Sequence, residues 1–192
     1  MKITIAGHGF IEPTSGFDLK DYLDTPKTYL DRASALALAG CALALRDANL
    51  VGPFDEGFGI ALGTRFGAVE TMRGFEGTLA EKGAKSVSPL LFSHSYFNSP
   101  ISLCAIEWGL KGWHGTLCGP NATFDAVTAA RDALALGHAT RMLCGSVEAL
   151  SPARALAGER NPREWSVFWV LERGGTGRDF DEALAAGELD LR

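Results

Sequence analysis

Gly115-Thr-Leu-Cys-Gly-Pro-Asn-Ala-Thr-Phe124 stands directly ahead of the most alanine-rich helical stretch of the chain. A short apolar run, a Gly-Pro break and then helical periodicity read as a strand, a sharp turn and a helix start. A turn of this kind presents one side chain at a helix N-terminus, yet no obvious nucleophile sits at its tip. Working outward, Ala122, Ala126, Ala129, Ala130 and Ala133 recur at helical spacing over a predicted helix from about Thr123 to Leu136, closed by Gly137. That small-residue face lets another backbone approach closely. Asn121 and Thr123 are the candidate caps, and the N–H groups behind them suit a carbonyl or phosphate.

Strand-like and helix-like segments alternate on both sides of this turn. Predicted strands are Ile3 to Ala6, Gly59 to Gly63, His114 to Leu117, Met142 to Gly145 and Ser166 to Leu171. The run from about Thr28 to Asn49 is apolar on nearly every side, as in a helix buried between layers. A more polar helix is predicted from about Ala68 to Lys82, and a short one from Ile101 to Trp108, ending at Gly109. Phe92, Tyr96, Phe97 and Trp108 read as an apolar cluster between Pro89 and Pro100. Five strands separated by helices predict an α/β sheet dominated by parallel pairs. A domain over 1–175 is expected, with a peripheral, Gly-rich and then acidic tail over 176–192.

Composition excludes several functions. An apolar fraction of 46% over 192 residues supports one folded domain, and interspersed charges with a net of -5 form no cationic surface for nucleic acid or anionic lipid. Neither partner is expected. Cys41, Cys104, Cys118 and Cys144 are widely spaced and form no CxxC pair, so neither zinc nor a disulfide framework is expected. No apolar run reaches about 18 residues, and a cytoplasmic protein with reduced thiols is the expectation. Gly63-Thr-Arg-Phe-Gly67 lacks the spacing of a phosphate loop or a dinucleotide site, so no cofactor is expected. Glu148, ending an apolar strand, reads as a buried, hydrogen-bonded carboxylate.

The order of further segments carries a resemblance. Tyr29-Leu-Asp-Arg-Ala-Ser-Ala-Leu-Ala-Leu-Ala39, Gly59-Ile-Ala-Leu-Gly-Thr64, Ser88-Pro-Leu-Leu-Phe92, Asn98, Ala105-Ile-Glu-Trp-Gly-Leu-Lys-Gly112, Met142-Leu-Cys-Gly-Ser-Val-Glu148 and Val167 to Arg173 follow one another as in the N-terminal half of a β-ketoacyl synthase. The match runs from residue 1 to about 175. It implies a thiolase-like half-domain, a five-stranded mixed sheet packed by helices.

Two departures shape the functional expectation. The family places a cysteine at the elbow, whereas alignment here puts either Pro120 or Asn121 there, and neither can attack a thioester. Cys118 falls two or three residues early and is expected to be a buried structural thiol. The family's two catalytic histidines belong to a second half-domain, while this sequence ends at Arg192, so a lone half is expected. The resemblance implies a non-condensing partner subunit in fatty-acid or polyketide assembly, similar to a chain-length factor in lacking the nucleophile. It also implies acyl contacts at Asn121, Thr123, Phe97 and Asn98, and possible encounters with an acyl carrier protein. A homodimer, or a heterodimer with a ketosynthase, would pair along His114 to Leu117 with Thr116 near the axis. The alternatives are an acyltransferase or thioesterase using Cys118 with His114 or His94, and a module that binds an acyl group or small ligand at the helix N-terminus. His114 and Cys118 share a strand face but stand about 13 Å apart along it.

Overall fold

The computed structural model describes residues 2–13, 16–25, 27–189 and 191; Met1 and Arg192, the ends of the expected domain and tail, lie outside these, with Thr14, Ser15, Pro26 and Asp190. Strands β1 (Ile3–Ile11), β2 (Phe58–Thr64), β3 (His114–Cys118), β4 (Arg141–Glu148), β5 (Trp165–Arg173) and β6 (Arg178–Asp179) form one sheet in the order β3-β2-β4-β5-β1-β6. Helices α1 (Arg32–Asp47), α2 (Val69–Lys82), α3 (Pro89–His94), α4 (Ser99–Trp108), α5 (Ala122–Ala135), α6 (Pro152–Leu156) and α7 (Phe180–Ala185) complete the chain.

The sheet is mixed and has six strands rather than five, because Arg178 and Asp179 pair with Ile5 and Thr4 at its far edge. Parallel pairs do not dominate. β2 lies parallel to β3 and β4, but the β4–β5, β5–β1 and β1–β6 pairs are antiparallel. The connection from β4 to β5 carries only the five-residue α6, with no long helix crossing the sheet, and the strand returns alongside its predecessor.

Both sheet faces are covered, which is why β2 and β4 read as continuous apolar runs instead of alternating ones. Phe58, Ile60, Leu62, Leu143, Val147, Phe168 and Val170 face α1 and α4. Ala61, Met142, Cys144, Val167, Trp169 and Leu171 face α5 and α7. α1 starts at Arg32 rather than near Thr28, because Tyr29 has φ of 59° and extended Asp31 is the N-cap, accepting from Ala33 N at 2.8 Å. β1 continues five residues beyond the predicted Ala6. Its glycines are close-approach positions: a Cβ on Gly7 would lie 2.4 Å from the Ala44 carbonyl oxygen, and one on Gly9 2.4 Å from that of Gly40.

Ser88 caps α3, with Pro89 in its first turn, so part of the aromatic segment is helical. Phe92 packs edge-on to Tyr96 and against Phe75, while Trp108 packs instead against the α1 core, leaving the expected four-residue cluster divided. In α7, Phe180 and Ala183 are buried against the sheet, and Arg131 Nε donates to Asp181 Oδ1 at 2.9 Å, tying α5 to α7. No helix among the described residues is long and apolar enough to cross a membrane.

Candidate functional site at the elbow between β3 and α5

Small residues place the start of α5 directly on the sheet. A Cβ on Gly63 of β2 would fall 2.1 Å from the Ala122 carbonyl oxygen, so only glycine lets the first turn of α5 settle there. Ala122, Ala126, Ala130 and Ala133 continue that contact along the buried side of the helix. Asn121 takes the N-cap position but its side chain makes no capping bond. Its backbone, at φ -108° and ψ 27°, lacks the extended conformation from which a carboxamide reaches the first-turn N–H groups. Thr123 spends a hydroxyl contact on Ser146, with 2.6 Å between their oxygens, so the expected capping by this pair does not occur in the expected form.

Ser146 and Glu148 are two apart on β4 and so share the face that looks toward α5. A cavity of about 420 Å³ opens there, walled by Arg65, Pro120, Ala122, Thr123, Ser146, Glu148 and the loop from Arg154 to Trp165. Glu148 is 4% exposed. Its Oε1 accepts from the Arg65 backbone N–H and from Thr64 Oγ1, whereas Oε2 is buried without a partner. The expectation of a hydrogen-bonded carboxylate therefore holds for one oxygen only. Burial raises its pKa, opposed by the Arg65 N–H, the Arg154 charge and the Thr64 hydroxyl. Around it, Glu159 bridges two guanidiniums, at 2.7 Å from Arg65 Nη1 and 2.7 Å from Arg154 Nε. Arg154 also donates to the carbonyl oxygens of Ala149 and Arg163, which fixes the loop that closes the cavity.

Cys118 is exposed, not buried as expected, because it ends an edge strand that, among the described residues, pairs with β2 alone. Partial burial and the Glu148 charge raise its pKa, the wrong direction for an activated thiolate. His114 and Cys118 sit at opposite ends of β3, opposite Ile60 and Thr64. The His114 Nδ1 contacts the Gly112 carbonyl oxygen at 2.5 Å. His94 ends α3, which packs on α2. Neither histidine is brought to the thiol.

The expected acyl-contact residues fall in separate places. Thr123 walls the elbow cavity and exposed Asn121 lies beside it. Asn98 faces a shallower hollow of about 260 Å³, which it shares with His114, Gly115 and Thr116 at the β3 edge. Phe97 is half-exposed and lies over Gly67. Sequence reasoning missed Arg65, Arg154, Glu159, Arg160 and Arg163. The signal available was the density of arginines from Arg154 to Arg163, but their convergence depends on the β4–β5 loop folding over the elbow. Among the described residues, no cluster of three or more His, Cys, Asp or Glu side chains is placed to hold a metal ion.

Residues 2–163 match the family model described as β-ketoacyl synthase, N-terminal domain. No curated protein matches the chain. Among solved structures, the ishigamide ketosynthase/chain length factor superposes with a TM-score of 0.80 at 21% identity, covering 93% of this chain and 64% of its counterpart. AntDE:AntF, a type II PKS acyl-carrier protein in complex with its ketosynthase bound to the hexaketide, gives a TM-score of 0.76 at 20% identity, with coverage of 97% and 65%. A chain in the complex of ketosynthase ApeO with its chain length factor ApeC from Xenorhabdus doucetiae gives 0.66 at 18% identity, with coverage of 92% and 81%. The present chain thus shares their thiolase-like fold and spans less than two thirds of the first two.

Proposed function

Because the chain belongs to the β-ketoacyl synthase N-terminal domain family, we propose that it is a non-condensing partner subunit of a ketosynthase in polyketide or fatty-acid assembly. One observation carries this reading. The elbow offers Pro120 and Asn121 at the start of α5, while Cys118 is held at the end of β3 with a thiol pKa raised by burial. A helix N-terminus without a nucleophile retains the architecture of an acyl site and lacks the group that would form a thioester. The superposition on chains from ketosynthase and chain-length-factor complexes supports the choice of partner.

Assembly through β3 suits the same reading. β3 is an edge strand bordered by Asn98, Ile101 and Ser102, and the segment ahead of these exposes Leu90, Leu91, Phe92, Tyr96 and Phe97. Unpaired strand edges beside apolar side chains favour pairing with another chain, either a second copy or a ketosynthase. Incubated alone with acyl carrier protein and a malonyl thioester, the purified protein is expected to yield no condensation product. Robust turnover that survives Cys118→Ala would overturn the reading, and turnover lost in that variant would assign the chemistry to Cys118.

A further inference from the structure

We propose that the elbow cavity is a binding site for a small oxyanion, a carboxylate or phosphate group, held by Arg65, Arg160 and the positive end of the α5 dipole. This goes beyond the partner-subunit reading and does not depend on it.

Three independent features converge on that ligand. The cavity walls carry Arg65, Arg154, Arg160 and Arg163 against Glu148 and Glu159, an excess of positive charge in a chain whose net charge is -5. Arg65 and Arg154 share one carboxylate, Glu159, and Arg163 pairs with Glu12 at 2.8 Å, so one of the two excess positive charges remains once the bridges are counted. The 14-residue α5 points its N-terminus into the cavity through Ala122 and Thr123, and Asn121 supplies no side-chain cap. Finally, Glu148 walls the cavity at 4% exposure with its Oε2 unpartnered. A buried carboxyl oxygen without a partner is costly, and a protonated carboxyl would donate that hydrogen bond to an anion. The carboxyl takes up this proton as the anion binds, which the upward pKa shift of Glu148 from burial eases.

The test titrates inorganic phosphate and acetate separately into the isotope-labelled full chain, at ionic strength held constant with sodium chloride, with neutral acetamide as control. Saturable shifts of the Ala122 and Thr123 amides are expected with at least one anion and none with acetamide; the anion that binds identifies the group. Arg160→Glu, a substitution at an exposed position, is expected to weaken binding at least about tenfold, the loss of a charge-assisted hydrogen bond. Glu148→Gln keeps a neutral donor and is expected to retain binding within about threefold. Shifts that never saturate, or affinity unchanged in both Arg160→Glu and Arg65→Glu, would overturn the proposal. Condensation plays no part in this readout, so its failure and that of the partner-subunit reading are separable.

Discussion

α1 and α5 are both alanine-rich and lie on opposite faces of one sheet, yet they end in different environments. α1 buries eleven of its 16 residues, so its outer side is sealed as well as its inner one, chiefly beneath α4. α5 buries seven of 14, leaving Phe124, and Leu136 at its C-cap, exposed and its N-terminus open to the arginine-lined cavity. Small residues serve both helices for the same reason, since they let a helix sit close to a strand. What separates the two is what covers the outer side. The sealed helix is a structural centre, and the half-covered one keeps its N-terminus and outer side open.

The strongest way to break this contrast is to attack the sealed side. Gly9→Val would place side-chain atoms where a Cβ already falls 2.4 Å from the Gly40 carbonyl oxygen and 2.5 Å from Ala44 N. Backbone atoms on a packed helix yield little, so a loss of about 3 kcal/mol or more is expected, the upper range for overpacking, measured by urea denaturation. A loss below about 1 kcal/mol would mean that α1 is not rigidly seated on β1.

A matched pair of truncations sharpens the contrast. Leu36 of α1 is fully buried, and Leu36→Ala should cost about 3 kcal/mol through lost transfer energy and a residual cavity. Phe124 of α5 is 48% exposed, and Phe124→Ala should change stability by less than about 0.5 kcal/mol. If the two variants lost similar stability, the outer side of α5 would be as structural as α1. The open side should respond in association instead. Thr116→Arg puts a cation near the axis of the proposed pairing, where a second copy would present the same charge. Sedimentation is expected to show a weaker homodimer with an unchanged folded monomer.

The two sides also differ in how far sequence alone revealed them. The α1 core was readable because a run that is apolar all round has few places to go except between layers. Strand positions were readable as apolar runs, and the tight seat of α5 followed from its alanines. Strand direction was not: the short α6 connection that reverses β5 looks like any polar loop. The predicted first strand stops at Ala6 because the roles of Gly7 and Gly9 depend on the backbone of α1, more than thirty residues away. At the elbow, sequence located the turn and Thr123 but missed the arginines. Arg65 and Glu159 are 94 residues apart, and nothing local signals their bridge. The exposure of Cys118 followed from β3 being an edge strand, which is a property of strand order and not of composition.

The smallest expected effect concerns that thiol and tests the elbow directly. Cys41, Cys104 and Cys144 are buried, so Cys118 is the exposed cysteine and alkylation of the native protein should report on it, with Cys118→Ala as the blank. The thiolate is the reacting form, and burial together with the nearby Glu148 charge disfavours it. Reaction with iodoacetamide at pH 8 is therefore expected to be slower than for a small free thiol, with the rate still rising with pH above the range where that thiol levels off. Glu148→Gln removes one negative charge, lowers the thiol pKa and should speed the reaction by roughly twofold, a modest factor because both solvent and distance screen the interaction. A rate faster than the free thiol, or an acyl adduct on Cys118 after exposure to a thioester, would instead mark an activated nucleophile displaced from the elbow and would favour the acyltransferase alternative.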